Sequence, residues 1–137
     1  MKVLVDTSVW ADFFNEHASA EASALARYLE SDAEIATCGA VVAEFFQGVR
    51  SAPSVARLEP YFRDMDLLTP HEPDTYFAAA TLFRKLRQRG VTVRSMVDCL
   101  IVQIAAERDA MVLAKDRDIA LILDSGLSKA VAAPLLR

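Results

Sequence analysis

Four carboxylates of this 137-residue chain stand in apolar company: Asp6, Glu44, Asp98 and Asp116. Asp6 ends the run Val3, Leu4, Val5. Glu44 sits inside "AVVAEFFQGV", Asp98 inside "SMVDCLIVQIAA", and Asp116 follows "MVLAK". Burying an ionised carboxylate without a partner costs several kcal/mol. No Lys or Arg lies three or four positions from Glu44; Asp98 has Arg94 four residues before it, a partner available from the helix start. Taken singly, most of these acids have a structural explanation. Asp6 and Asp116 suit helix N-caps, and Glu44 can reach solvent from a half-exposed face. Asp98 is hardest to place this way, because its helix is apolar nearly all round. Brought together, the four would repel one another unless a cation sat between them. A hard divalent ion such as Mg²⁺ suits an all-oxygen site and needs only one or two direct carboxylates. Zinc suits it poorly, since His17 and His71 have no ligand-like spacing to each other or to Cys38 and Cys99.

Such a site needs elements that deliver acids from distant parts of the chain to one place. Val3–Val5 reads as a short buried strand, with a helix through Ser8–Asn15 capped by Asp6 or Thr7. Ser19–Glu30 reads as a helix, Glu34–Cys38 as a strand, and Ala40–Val49 and Ser54–Arg63 as helices. Met65–Leu68 suits a short strand. A long helix runs from Pro73 to Arg89, stopped by Gly90. Ser95–Arg108 is helical, Ala110–Ala114 a strand, and Asp116–Asp124 a helix; a last strand is expected around Ala130–Ala133. Short apolar strands alternating with helices predict an α/β fold, a parallel sheet covered on both faces. In such sheets ligands bind beyond the carboxyl ends of the strands, where Asp6 and Asp116 fall.

Size and composition agree with one domain spanning 1–137. No stretch approaches the ~20 apolar residues of a membrane span, and the N-terminus is too short before Asp6 for a secretory segment. The two cysteines lie in apolar runs and fit buried free thiols in a reducing cytoplasm. The hydrophobic fraction of 53% is on the rich side and leaves apolar surface for a partner or a second copy. A net charge of −4 argues against nonspecific coating of nucleic acid, but not against a local basic patch. "FRKLRQRGVTVR" holds Arg84, Lys85, Arg87, Arg89 and Arg94 with no acid among them. It is the best candidate for phosphate contacts, although basic side chains also favour helix C-termini for their own sake. Trp10, Phe13 and Phe14 follow Asp6 at helical spacing and read as core packing.

"VLVDTSVW", "VVAEFFQG", "VRSMVDCLIVQIA" and "VLAKDRDIALI" resemble, in order and spacing, the motifs of PIN-domain nucleases, above all the VapC-type toxins of bacterial toxin–antitoxin pairs. The resemblance runs from Lys2 to about Leu123. It implies a PIN-like three-layer α/β/α sandwich whose central, mostly parallel sheet has four or five strands. It implies Mg²⁺ or Mn²⁺ held by Asp6, Glu44, Asp98 and Asp116, and hydrolysis of RNA. Asp118 matches an auxiliary acid of the family. Thr7 and Ser8 match polar positions beside the first acid, and Ser95 precedes the Asp98 helix, where it could cap it or touch the site. One departure is Ile119, where many members carry an aromatic residue. Family members form homodimers and bind an antitoxin in a groove near the site; here Trp10, Phe13, Tyr28 and Leu29 are candidates to line it.

The chemistry this implies is in-line attack of water on a phosphodiester, with a metal lowering the pKa of the water and Glu44 or Asp116 taking the proton. The products would carry 5′-phosphate and 3′-hydroxyl ends. Three rivals predict different behaviour: an aspartyl phosphatase, a non-catalytic module braced by a metal, and a nuclease for structured DNA. The first usually wants a second acid two residues after Asp6, where this chain has Ser8.

Overall fold

A computed structural model describes residues 1–137 and contains four strands and seven helices. The strands are β1 (Lys2–Val5), β2 (Glu34–Cys38), β3 (Asp66–Leu68) and β4 (Met111–Leu113). The helices are α1 (Thr7–Phe14), α2 (Ala20–Glu30), α3 (Gly39–Gln47), α4 (Ala52–Arg63), α5 (Asp74–Gln88), α6 (Met96–Glu107) and α7 (Arg117–Asp124). All pairings are parallel, in the order β3-β2-β1-β4.

Side chains of a strand alternate between faces, yet Val3, Leu4 and Val5 are all fully buried. Both faces of β1 are therefore covered, which makes three layers. The apolar run at the N-terminus is the sequence signature of that position. Leu4 pairs with Ala36 of β2 on one side and Val112 of β4 on the other. From β1 the chain winds out through β2 to β3, and later returns to place β4 on the opposite edge of β1. The strand order thus reverses between β1 and β4, and a crevice opens at their carboxyl ends. The segments leaving those two strands carry Asp6 and Asp116.

The expected last strand is a single parallel bridge, Val112 to Ala132. Val112 donates its amide to Val131 O (2.9 Å) and accepts from Ala133 N (2.8 Å). Pro134 follows, and without an N–H it cannot extend the ladder. The long α5 ends as its sequence suggests, with Gly90 at φ +76° just beyond it.

An aromatic cluster joins α1, α3 and α4. The Trp10 and Phe62 ring centroids lie 5.3 Å apart, and those of Phe45 and Phe62 4.8 Å. Trp10 and Tyr28 are fully buried, which corrects the expectation that they line a partner surface: their bulk is used to fill the space beneath α1 and α2. Leu29 is exposed and Phe13 half-buried.

Candidate metal centre

Asp6 leaves β1 and caps α1. Its Oδ2 accepts from Ser8 N (3.3 Å) and Ser8 Oγ (2.8 Å). Asp116 leaves β4 and caps α7, its Oδ1 accepting from Asp118 N (2.7 Å) and Ile119 N (3.3 Å). In both, capping uses one carboxylate oxygen and leaves the other free. Cap and ligand, alternatives in the sequence, are here compatible.

Asp98 lies in the first turn of α6, whose N-cap Ser95 accepts from Val97 N at 3.1 Å. It is only 8% exposed, and no hydrogen bond holds its carboxylate. Burial pushes its pKa up to about 7, helped by the charges of Asp116, Asp6, Glu44 and Asp118 in that order. Glu44, half-buried on α3, is raised by burial and then by Asp6 and Asp116. Asp6 is raised mainly by burial, against the lowering effect of Ser8. Four separate elements therefore deliver acids that feel one another's charge.

Oxygens of Asp98, Asp116 and Asp118 all lie within 4.8 Å of one another. Asp118, which matches an auxiliary acid of the resemblance, is one of these three. It differs from its neighbours in being neutralised: Oδ2 accepts the Arg94 amide (3.1 Å) and guanidinium Nε (3.0 Å). These bonds hold its pKa below the usual carboxylate range. Arg94, offered by the sequence as a partner for Asp98, pairs with Asp118 instead.

This donor set fits a hard divalent cation. All donors are carboxylate oxygens, the geometry brings three within reach of one ion, and a buried carboxylate without a hydrogen bond is what a cation would relieve. Asp98, Asp116 and Asp118 are the residues brought close enough to share it; Asp6 and Glu44, expected beside them, fall outside that group of three and are joined to it by the mutual effect of their charges.

The hydroxyls beside Asp6 brace the site. Ser8 Oγ also accepts from Lys115 N (3.3 Å), tying the end of β1 to the end of β4. Thr7 donates to Val41 O (3.4 Å), linking α1 to the helix that carries Glu44. The basic run is exposed. Arg84 bonds only Thr81 of its own helix (3.4 Å), and the Arg87 guanidinium lies 5.8 Å from the Phe83 ring centre.

Sequence reasoning missed a cavity of about 540 Å³ lined by Thr7 and Glu44 and, among others, by Asn15, Arg50, Ser54 and Arg57. Its residues come from three helices and a loop, with no shared motif to announce them.

The family model for the PIN domain matches residues 3–122. Ribonuclease VapC11 of Mycobacterium tuberculosis is 32% identical over 121 residues, 88% of this chain and 90% of that protein. The fold is similar to that of VapBC2 from Rickettsia felis bound to a DNA fragment from its promoter. There the TM-score is 0.70 at 16% identity, covering 96% of each chain. It is also similar to VapC20 of Mycobacterium tuberculosis, a Sarcin-Ricin loop cleaving toxin. In that case the TM-score is 0.62 at 18% identity, covering 90% of this chain and 95% of that one.

Proposed function

The chain belongs to the PIN-domain family, and from that membership and its carboxylate pocket we propose that it is a metal-dependent endoribonuclease, the toxin of a toxin–antitoxin pair. One observation carries the reading most: Asp98 is buried, lacks a hydrogen bond and faces the charge of four further acids. A structural acid would have a cationic or N–H partner; a ligand waits for an ion.

Mg²⁺ or Mn²⁺ bound there supplies Lewis acidity for the attack of water on an RNA phosphodiester. Asp98, Asp116 and Asp118, the last held in place by Arg94, would hold the ion, and Asp6 would add to the negative charge that draws it in. Glu44 is half-exposed with a raised pKa, which suits it to take the proton of the attacking water. No 2′-hydroxyl attack is needed, so the products carry 5′-phosphate and 3′-hydroxyl ends. Arg94 uses Nε on Asp118, which leaves its terminal nitrogens available to a phosphate, with Arg84, Lys85, Arg87 and Arg89 extending the positive surface. Solved relatives are VapBC pairs, which supports an antitoxin partner. Exposed Tyr76 and Phe77 offer apolar surface for a second copy of the chain. Two buried unpaired cysteines suit a reducing cytoplasm.

The test is incubation of the purified protein with RNA in Mg²⁺, Mn²⁺ or EDTA, with the fragment ends identified. The reading requires cleavage that EDTA abolishes and 5′-phosphate products. Cyclic phosphate ends, or phosphate released from a monoester without chain cleavage, would replace it with another chemistry.

A further inference from the structure

We propose that Arg50 and Arg57 form a phosphate clamp for the single-stranded RNA that enters the carboxylate site, a proposal that rests on the nuclease reading above. Both line the cavity that Thr7 and Glu44 share. Both are exposed, and neither is in an ion pair. Arg27, Arg63, Arg94, Lys2 and Lys115 are each committed to a carboxylate; among the cations left without one, Arg50 and Arg57 are the two that line this cavity. Among the cavity's lining residues Glu44 is the sole acid. The cavity is therefore positive along the α3–α4 connection and negative where it meets the acids.

That polarity matches an RNA strand with one phosphate at the cation site and its neighbours on arginines. Arginine offers planar, multi-donor recognition of phosphate. Phe14 adds an aromatic wall, and Asn15 and Ser54 add side chains able to bond a base edge or a ribose hydroxyl. An acidic peptide would satisfy the arginines as well, and it meets Glu44 with the same like charge as RNA does, but it has neither bases to stack on Phe14 nor ribose hydroxyls for Asn15 and Ser54. The strand is thus the better fit.

Binding is measured on the full chain carrying Asp98→Asn, in EDTA, so that RNA is not cut. The probe is a fluorescent single-stranded RNA of about twelve nucleotides, within the length such sites cover. Its affinity is followed by anisotropy across a salt series. Each phosphate contact contributes about 0.7 to the slope of log affinity against log salt. Adding Arg50→Ala and Arg57→Ala should lower the slope by about 1.4, twice 0.7. Arg50→Lys with Arg57→Lys should keep most of it. Adding Lys129→Ala and Arg137→Ala, which removes equal charge outside the cavity, should lower it much less. Melting curves confirm that each variant is folded. An unchanged slope in the alanine pair, an equal fall in the Lys129/Arg137 pair, or no measurable RNA binding overturns the clamp. So does loss of binding to an acidic peptide with RNA affinity intact. Because no step requires cleavage, an intact clamp in a protein that cuts no RNA would count against the nuclease reading alone.

Discussion

Arg94 presents its main-chain N–H and its guanidinium Nε to the same oxygen of Asp118, at 3.1 and 3.0 Å. The pair fastens the loop before α6 to the first turn of α7, so that Asp98 and Asp116 keep their spacing. Partners that orient ligands without being ligands typically contribute 10–100-fold to affinity or activity. Arg94→Ala should therefore lower kcat/KM for RNA by about tenfold or more. Arg94→Lys should recover little, since a point-charge ammonium does not reproduce the Nε geometry. The Arg94 side chain is 77% exposed and its main-chain N–H would still reach Asp118 in the variant, so the melting temperature should barely move. A large fall in melting temperature would mean that the pair serves folding instead.

Asp98 makes the metal-free protein sensitive to pH. Its carboxyl titrates near 7 in the fold against an ordinary value of 3.8. Between those values the folded state binds more protons than the unfolded one, so stability falls as pH rises from about 4 to about 7. Asp98→Asn removes the titrating group. In EDTA the variant should melt above the parent at pH 8, and its advantage should shrink toward pH 4. A variant that melts below the parent at pH 8 would show that the ionised carboxylate has a stabilising partner.

Ser8 joins two strand ends, donating to Asp6 and accepting from Lys115 N. Ser8→Ala should cost about 1.5–3 kcal/mol by urea denaturation, the range for a hydrogen bond to a charged group. It should also weaken cleavage, because Asp6 loses its fixed rotamer. Full activity in this variant would leave Ser8 with a capping role only.

Trp10 packs against Phe14, Tyr61 and Phe62, with centroid separations of 5.3 to 5.7 Å. Trp10→Ala should cost about 3–5 kcal/mol, seen as a lower urea midpoint. A variant that keeps its midpoint but loses a binding partner would return Trp10 to the partner surface that the family resemblance suggested for it.

How far the sequence reached follows from the range of the interactions. The buried strand at Val3–Val5 was legible because burial on both faces writes an unbroken apolar run. The acids were legible because each breaks an apolar element, and a parallel sheet with a strand-order reversal brings the ends of β1 and β4 together. The partner of Arg94 was not, since Asp118 lies 24 positions away and helix spacing pointed to Asp98. Neither was the double duty of Asp6 and Asp116, which depends on how each carboxylate divides its two oxygens. The weakly marked strand at Ala130–Ala133 reduced to a bridge because Pro134 ends it. The cavity bearing Arg50 and Arg57 arises where three helices meet, and local pattern carries no trace of it.

The central claim is that the carboxylate cluster holds a divalent cation. Titration with Mn²⁺ followed by electron paramagnetic resonance tests it directly, because free aqueous Mn²⁺ gives the signal and bound ion loses it. The native chain should deplete free Mn²⁺ at pH 8, release it progressively as pH falls below about 7, where Asp98 takes up its proton, and compete with Mg²⁺. The Asp98→Asn chain should deplete far less. Equal depletion by both chains, or none by the native one, would contradict the account.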